Sequence, residues 1–104
     1  MRKVERMMNE AISRDENFSR ENTMVSYHEG VSYVYLHGNK IAEVDGEGVK
    51  IFDGGWQTNT TKSRLNAILS EFSAGGEQVF QKDFEWRVTT TSASVPFRSG
   101  MRVF

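Results

Sequence analysis

The sequence predicts a small α+β domain built on an antiparallel β-meander, and three observations lead there. Between about residues 23 and 53, β-branched and aromatic residues alternate with period two and are broken by glycine-containing turns. Two further stretches, about 2–14 and about 61–73, repeat their apolar residues at helical spacing. The length of 104 residues suits one domain, residues 1–104, with no linker, repeat or low-complexity segment to divide it.

Each element has its own warrant. Val4, Met7, Met8, Ala11 and Ile12 recur at i, i+3, i+4, i+7 and i+8, one face of an N-terminal helix. Residues 13–22 lose that period and read as a polar connection. Four strands follow at Thr23–His28, Val31–His37, Lys40–Asp45 and Val49–Asp53. Their joints are Glu29-Gly30, Gly38-Asn39 and Gly46-Glu47-Gly48, which supply the positive φ that tight hairpins need. Turns at 29–30 and 38–39 set Val25 opposite Val34 and Leu36 opposite Ile41, with Phe52 beside Ile41 and Glu43 near Lys50. The other face then carries Met24, Tyr33, Tyr35, Ala42, Val44, Val49 and Ile51. With both faces apolar, each calls for a cover, from the two helices or from a second subunit.

Leu65, Ile68, Leu69 and Phe72 form the apolar face of the second helix, with Thr60 or Thr61 as its cap and Gly75-Gly76 as its stop. A C-terminal hairpin over about 77–90 turns at Lys82-Asp83. Residues 91–100 read as a loop, and Met101–Phe104 as an edge strand.

Composition excludes several classes. There is no cysteine, hence no disulfide scaffold, thiolate metal site or cysteine nucleophile. No apolar run nears the roughly 20 residues of a membrane span, and Met1-Arg2-Lys3-Val4-Glu5-Arg6 has no apolar signal region. A cytoplasmic protein without cofactor is expected. The 13 basic and 14 acidic residues give a net charge of −1. By segment that is +1 over residues 1–20, −4 over 21–55 and +2 over 56–104.

His28 and His37 sit at opposite ends of one strand, about 20 Å apart at roughly 3.3 Å per residue, too far for one metal or a proton relay. Glu43, Asp45, Glu47 and Asp53 surround a glycine-rich turn, but Asp45-Gly46-Glu47-Gly48 lacks the alternating twelve-residue ligand spacing of a calcium loop. No metal site and no catalytic set is expected.

The segment from Gly54 to Arg64 (Gly-Gly-Trp-Gln-Thr-Asn-Thr-Thr-Lys-Ser-Arg) is the most informative. Lys62-Ser63 after glycines suggests a phosphate-binding loop, yet Thr61 stands where that loop needs glycine, and the idea fails. A weaker anion site survives at the start of the second helix, where Lys62 and Arg64 replace the acids normally found there. Thr58, Thr60, Thr61 and Ser63 would donate hydroxyls and Trp56 would stack a base. The plainer alternative is a threonine-capped helix with Trp56 on the core and both cations in solvent. Arg98 and Arg102, near Phe97 and Phe104, would extend a nucleic-acid surface or simply tuck those rings against the sheet.

Tyr35-Leu36-His37-Gly38-Asn39-Lys40-Ile41-Ala42 and Gly55-Trp56-Gln57-Thr58-Asn59-Thr60-Thr61-Lys62-Ser63-Arg64-Leu65-Asn66-Ala67 resemble a family of small tailed-bacteriophage proteins, many from marine phages. The likeness runs from about Asn22 to Val88. Some relatives carry a glycine in the Lys82 hairpin where this chain has Phe84. The resemblance implies action inside an infected bacterium and carries no activity with it. The expectation is a non-enzymatic accessory protein that binds, through nucleic-acid contact at Trp56, Thr58, Thr60, Thr61, Lys62 and Arg64. The alternatives are a modulator of a host protein and a small enzyme whose site assembles on folding. A homodimer is expected from the two apolar faces.

Overall fold

The computed structural model describes residues 1–90 and 93–103, among which lie two helices and nine strands. Thr91 and Ser92 of the expected loop, and Phe104 of the expected edge strand, fall outside the described residues.

Helix α1, Lys3–Ser13, buries Met8, Ala11 and Ile12, with Val4 and Met7 half-buried at its margin. The Glu5 carboxylate accepts the Arg2 N–H at 3.1 Å, which satisfies one of the unpaired donors at the helix start. The connection after it is not wholly irregular. Phe18–Arg20 form β1, antiparallel to β2, Thr23–His28, with Phe18 opposite Val25. Three residues with one apolar member show no period, which hid this strand; its anchor is Phe18, packed against the core.

Strands β3, Val31–Leu36, β4, Asn39–Asp45, and β5, Gly48–Ile51, continue the meander. Val25 pairs with Val34 as expected, but Leu36 pairs with Asn39 and not with Ile41. The hairpin turns at His37-Gly38, with φ of 52° and 78°, one residue earlier than Gly38-Asn39. Positive φ at both central residues suits the twist of a two-residue hairpin. One step on, Tyr35 faces Lys40 while Val34 faces Ala42, so Ile41 is the extra residue of a β-bulge.

That bulge corrects the reading of two apolar faces. It leaves Ile41 on the side of Val25, Val34 and Leu36 and brings Ala42 and Val44 there too, and pairing carries Val49 and Ile51 with them. One face becomes the core, and the outer face keeps Met24, Tyr33 and Tyr35 and gains Glu43, Lys50 and Phe52 beside Lys40. There Lys40 Nζ lies 2.6 Å from Glu43 Oε2 and 4.5 Å from the Phe52 ring centroid. Most of these outer side chains are half-buried against one another. The need for a second cover, and with it that argument for a homodimer, disappears.

Helix α2, Asn59–Phe72, starts two residues earlier than expected because Thr58, not Thr60 or Thr61, is its cap: Thr58 Oγ1 accepts the Thr61 N–H at 3.1 Å. Leu65, Ile68 and Leu69 are fully buried and Phe72 half-buried, the expected face. Past Ser73 the chain leaves the helix through Gly75 and Gly76, with φ of 123° and 85°.

Strands β6, Gln78–Lys82, β7, Glu85–Thr89, and β8, Ser94–Pro96, make a second sheet in the order β6-β7-β8. Its hairpin turns at Asp83-Phe84, not Lys82-Asp83, with φ of 52° and 65°. Asn66 of α2 presents its amide to the β6 edge as a strand would: its Oδ1 accepts the Val79 N–H at 2.7 Å and its Nδ2 donates to the Val79 carbonyl at 2.9 Å. An edge so occupied is closed to further pairing at Val79. The chain then returns to the first sheet through β9, Met101–Arg102, which pairs with β5. The first sheet thus has the order β1-β2-β3-β4-β5-β9, and one core joins it to both helices and to Val79, Trp86 and Val88.

Candidate functional site

At the end of the sheet where β3 turns into β4, a pocket of about 350 Å³ opens between that hairpin and the start of α2. Leu36 and Ile41 give it apolar walls, His37 and Asp53 stand in its lining, and Trp56, Thr58 and Thr61 come from the α2 side. Local chemistry holds the loop between β5 and α2 in place. Asp53 Oδ1 accepts the Gly55 N–H at 2.8 Å, and the Asp53 N–H donates to the Ser99 hydroxyl at 3.1 Å. Gly54, at φ 69°, runs so close to β4 that a Cβ there would lie 3.2 Å from Cβ of Asn39. The loop is therefore fixed while its Trp56 side chain stays 72% exposed. Trp56 does not pack on the core.

Of the six residues expected to form one anion site, three meet here: Trp56, Thr58 and Thr61. The Thr58 and Thr61 hydroxyls lie 3.0 Å apart within the helix cap, so they are engaged in holding α2. Thr60 and Lys62 are half-buried on the first turns of α2 and do not line the pocket. Arg64 is the main departure. Its side chain is 3% exposed and its Nη1 lies 2.8 Å from Glu5 Oε2, so it faces the protein interior and not a phosphate. Among the described residues, no three His, Asp or Glu side chains converge on a metal-sized site. Also among them, no helix is long and apolar enough to cross a membrane.

A family model described as Kyanoviridae Gp96 protein matches residues 1–104, the whole chain. The chain belongs to the Kyanoviridae Gp96 protein family. It is thus a bacteriophage protein, as the resemblance implied, and the likeness extends beyond the Asn22–Val88 span on which that resemblance rested. No curated protein and no solved structure matches it.

In this Gp96 family member, Glu5, Asn9, Ser63 and Arg64 form a largely buried polar lock between the helices and the start of β2. Besides Glu5, Arg64 donates to Thr23 Oγ1 at 3.0 Å and to Asn22 Oδ1 at 3.3 Å. Ser63 donates its hydroxyl to the same Glu5 oxygen at 2.7 Å. Asn9 adds a bond from its Nδ2 to the Ala67 carbonyl at 2.9 Å. The sequence did hold a signal. Glu5 shares its helix face with Met8 and Ile12, and Arg64 shares its own with Ile68, so each apolar stripe contains one charge that needs an opposite partner.

Burial alone would raise the Glu5 pKa, but the Ser63 hydroxyl, the Arg2 N–H and the Arg64 guanidinium outweigh it and hold the carboxyl below its ordinary 4.5. A depressed carboxylate contributes stability above its unfolded value and loses it as pH falls through the folded one. Urea midpoints should therefore fall as pH drops below about 4.5, and Glu5→Gln should flatten that dependence. A wild-type slope retained in Glu5→Gln would assign acid sensitivity to other carboxylates.

Proposed function

We propose that this Gp96 family protein is a non-enzymatic accessory protein of a marine phage that works by binding in the cytoplasm of the infected bacterium. Its contact is the Trp56 pocket, which takes an apolar or aromatic side chain of a protein partner. The observation that carries this reading is a largely exposed tryptophan, held by a fixed loop, at the mouth of a pocket walled by Leu36 and Ile41. Tryptophan is among the residues that dominate binding energy at protein interfaces, above all beside such a pocket. His37 and Asp53 supply polar groups for orientation.

Nucleic-acid contact at the same place retains Trp56 and the acid-free first turn of α2, but loses Arg64 to Glu5. With Asp53 in the lining, little positive charge is left to hold a phosphate chain. Modulation of a host protein therefore displaces nucleic-acid binding as the favoured reading.

Capture from nuclease-treated lysate of the host, with the chain as bait, separates the two. A nuclease-resistant protein retained by wild type and by Lys62→Ala, but lost with Trp56→Ala, is the expected result. Capture indifferent to Trp56→Ala would overturn the reading. So would salt-sensitive binding of single strands that Lys62→Ala removes.

A further inference from the structure

The Trp56 pocket opens at the end of the first sheet where β3 turns into β4. A second pocket, of about 410 Å³, opens at the other end, beside the β2–β3 and β4–β5 turns. Tyr27, Ser32 and Val44 are cross-strand neighbours on β2, β3 and β4, and they give it a floor. Ile12 and Phe72, from the last turns of α1 and α2, close it from the helix side.

Ser32 is the residue for which the fold supplies no partner. It is 2% exposed and shares its strand face with Val34 and Leu36, yet its hydroxyl makes no hydrogen bond among the described residues. A buried hydroxyl is normally paired, and leaving it unpaired forfeits stability. Because Ser32 lines the pocket, a group entering there can supply the missing bond.

The electrostatics of this end decide the sign of that group. Glu5 meets Arg64, Asn9 meets Ala67, and Ile12 and Phe72 share the pocket, so the two helices run in the same direction. Both therefore bring their partly negative C-termini here, and neither has a basic residue in its last turn. Asp15, at φ 56° just past α1, lines the pocket with a carboxylate that has no partner among the described residues. The cations nearby are already taken. Arg14 lies 3.2 Å from Glu10, His28 lies 3.7 Å from Glu29, and Arg102 lies 3.7 Å from Asp45 at the pocket rim.

We infer that this pocket is a binding site for a primary alkylammonium group, which donates to Asp15 and to the Ser32 hydroxyl while its methylene stem lies against Ile12, Val44 and Phe72. A bare metal ion fits poorly, since those apolar walls offer it no ligand and no three carboxylates or histidines converge among the described residues. An ammonium suits the arrangement because its three donors point apart, toward acceptors on separate elements. The Tyr27 ring adds an aromatic surface for the cation. The same chemistry ends a free aliphatic amine and a lysine side chain. The site is separate from the Trp56 pocket and does not depend on what that pocket takes.

Titration of isotope-labelled protein with n-butylammonium chloride, followed by amide NMR shifts, tests it. Saturable shifts centred on Ser32 and Val44 are expected, with a dissociation constant of about 1 mM for so small a probe. Equal concentrations of n-butanol, which lacks the charge, and of sodium chloride, which lacks the stem, should not reproduce them. Asp15→Asn and Ser32→Ala should each weaken binding about tenfold. Asp15 is exposed and Ser32→Ala removes only an unpaired hydroxyl, so both variants should keep the wild-type fold. Tighter binding of diaminobutane than of Nα-acetyl-lysinamide supports the site as one for a free amine, and the reverse order supports it as one for a protein lysine. Shifts that stay linear to about 50 mM, that sodium chloride reproduces, or that persist unchanged in both variants would overturn the inference.

Discussion

Arg64→Ala should destabilise the protein by about 3–5 kcal/mol, the usual cost of removing one partner from a buried ion pair. The geometry explains the size. Glu5 would remain 2% exposed with its charge uncompensated, and Thr23 Oγ1 and Asn22 Oδ1 would lose the donor they share. Arg64→Lys should recover only part of the loss, because an ammonium cannot reproduce a guanidinium that reaches Glu5, Thr23 and Asn22 from separate nitrogens. Joint replacement, Glu5→Met with Arg64→Met, should be far milder than Arg64→Ala, since no buried charge is stranded. Urea unfolding of the four proteins checks this. A loss below about 1 kcal/mol for Arg64→Ala would mean that Arg64 is solvent-facing and free for a ligand, as its helix position first suggested.

Ile41→Glu and Ala42→Glu should both be severely destabilising, each by more than about 3 kcal/mol, because both put an unpaired carboxylate into the core. This pair of results is diagnostic. In a regular strand, neighbours point to opposite faces, so one of two consecutive substitutions would be tolerated. Ile41 is 1% and Ala42 0% exposed, which only the bulge between them and Val34 permits. Tyr35→Glu, on the outer face, should cost much less. Cooperative unfolding of Ala42→Glu near the wild-type midpoint would restore the unbulged register.

These two predictions also mark what could be read in advance. Helical and strand periods were legible because each apolar stripe is contiguous: α1 and α2 lie close to their expected bounds, and β2 to β5 fall within a few residues of theirs. Bulge and turn placement were not. Gly38-Asn39 and His37-Gly38 are both plausible two-residue turns, and the choice depends on whether Ile41 and Ala42 can both be buried, a property of the assembled core. Moving a two-residue turn by one position leaves every face unchanged; it is the bulge at Ile41 that carries Ala42, Val44, Val49 and Ile51 to the core face and Phe52 to the outer one. Phe84 is a related case: no propensity argues for a phenylalanine at positive φ, so the turn was displaced toward Lys82-Asp83.

At the site, Trp56 is exposed but Arg64 does not join it; cations at a helix start look like ligand-binding groups when only spacing is available. Arg64 sits at such a place and satisfies a charge 59 residues away in sequence. That pairing is invisible to local pattern, although the charge on each apolar stripe hinted at it. Lys62 stands at helical spacing from Leu65 and Leu69 yet is only half-buried, so stripe position alone does not separate it from the buried Arg64.

The central claim, that the Trp56 pocket accepts an aromatic side chain, is tested most directly by tryptophan emission. The chain has two tryptophans, and Trp86 is 3% exposed while Trp56 is 72% exposed, so a change of environment reports on Trp56. N-acetyl-phenylalaninamide titrated into the protein should give a saturable blue shift and shield Trp56 from acrylamide. Both effects should vanish in Trp56→Phe, whose remaining Trp86 is buried. Emission and quenching that stay unchanged to the solubility limit of the probe would contradict it.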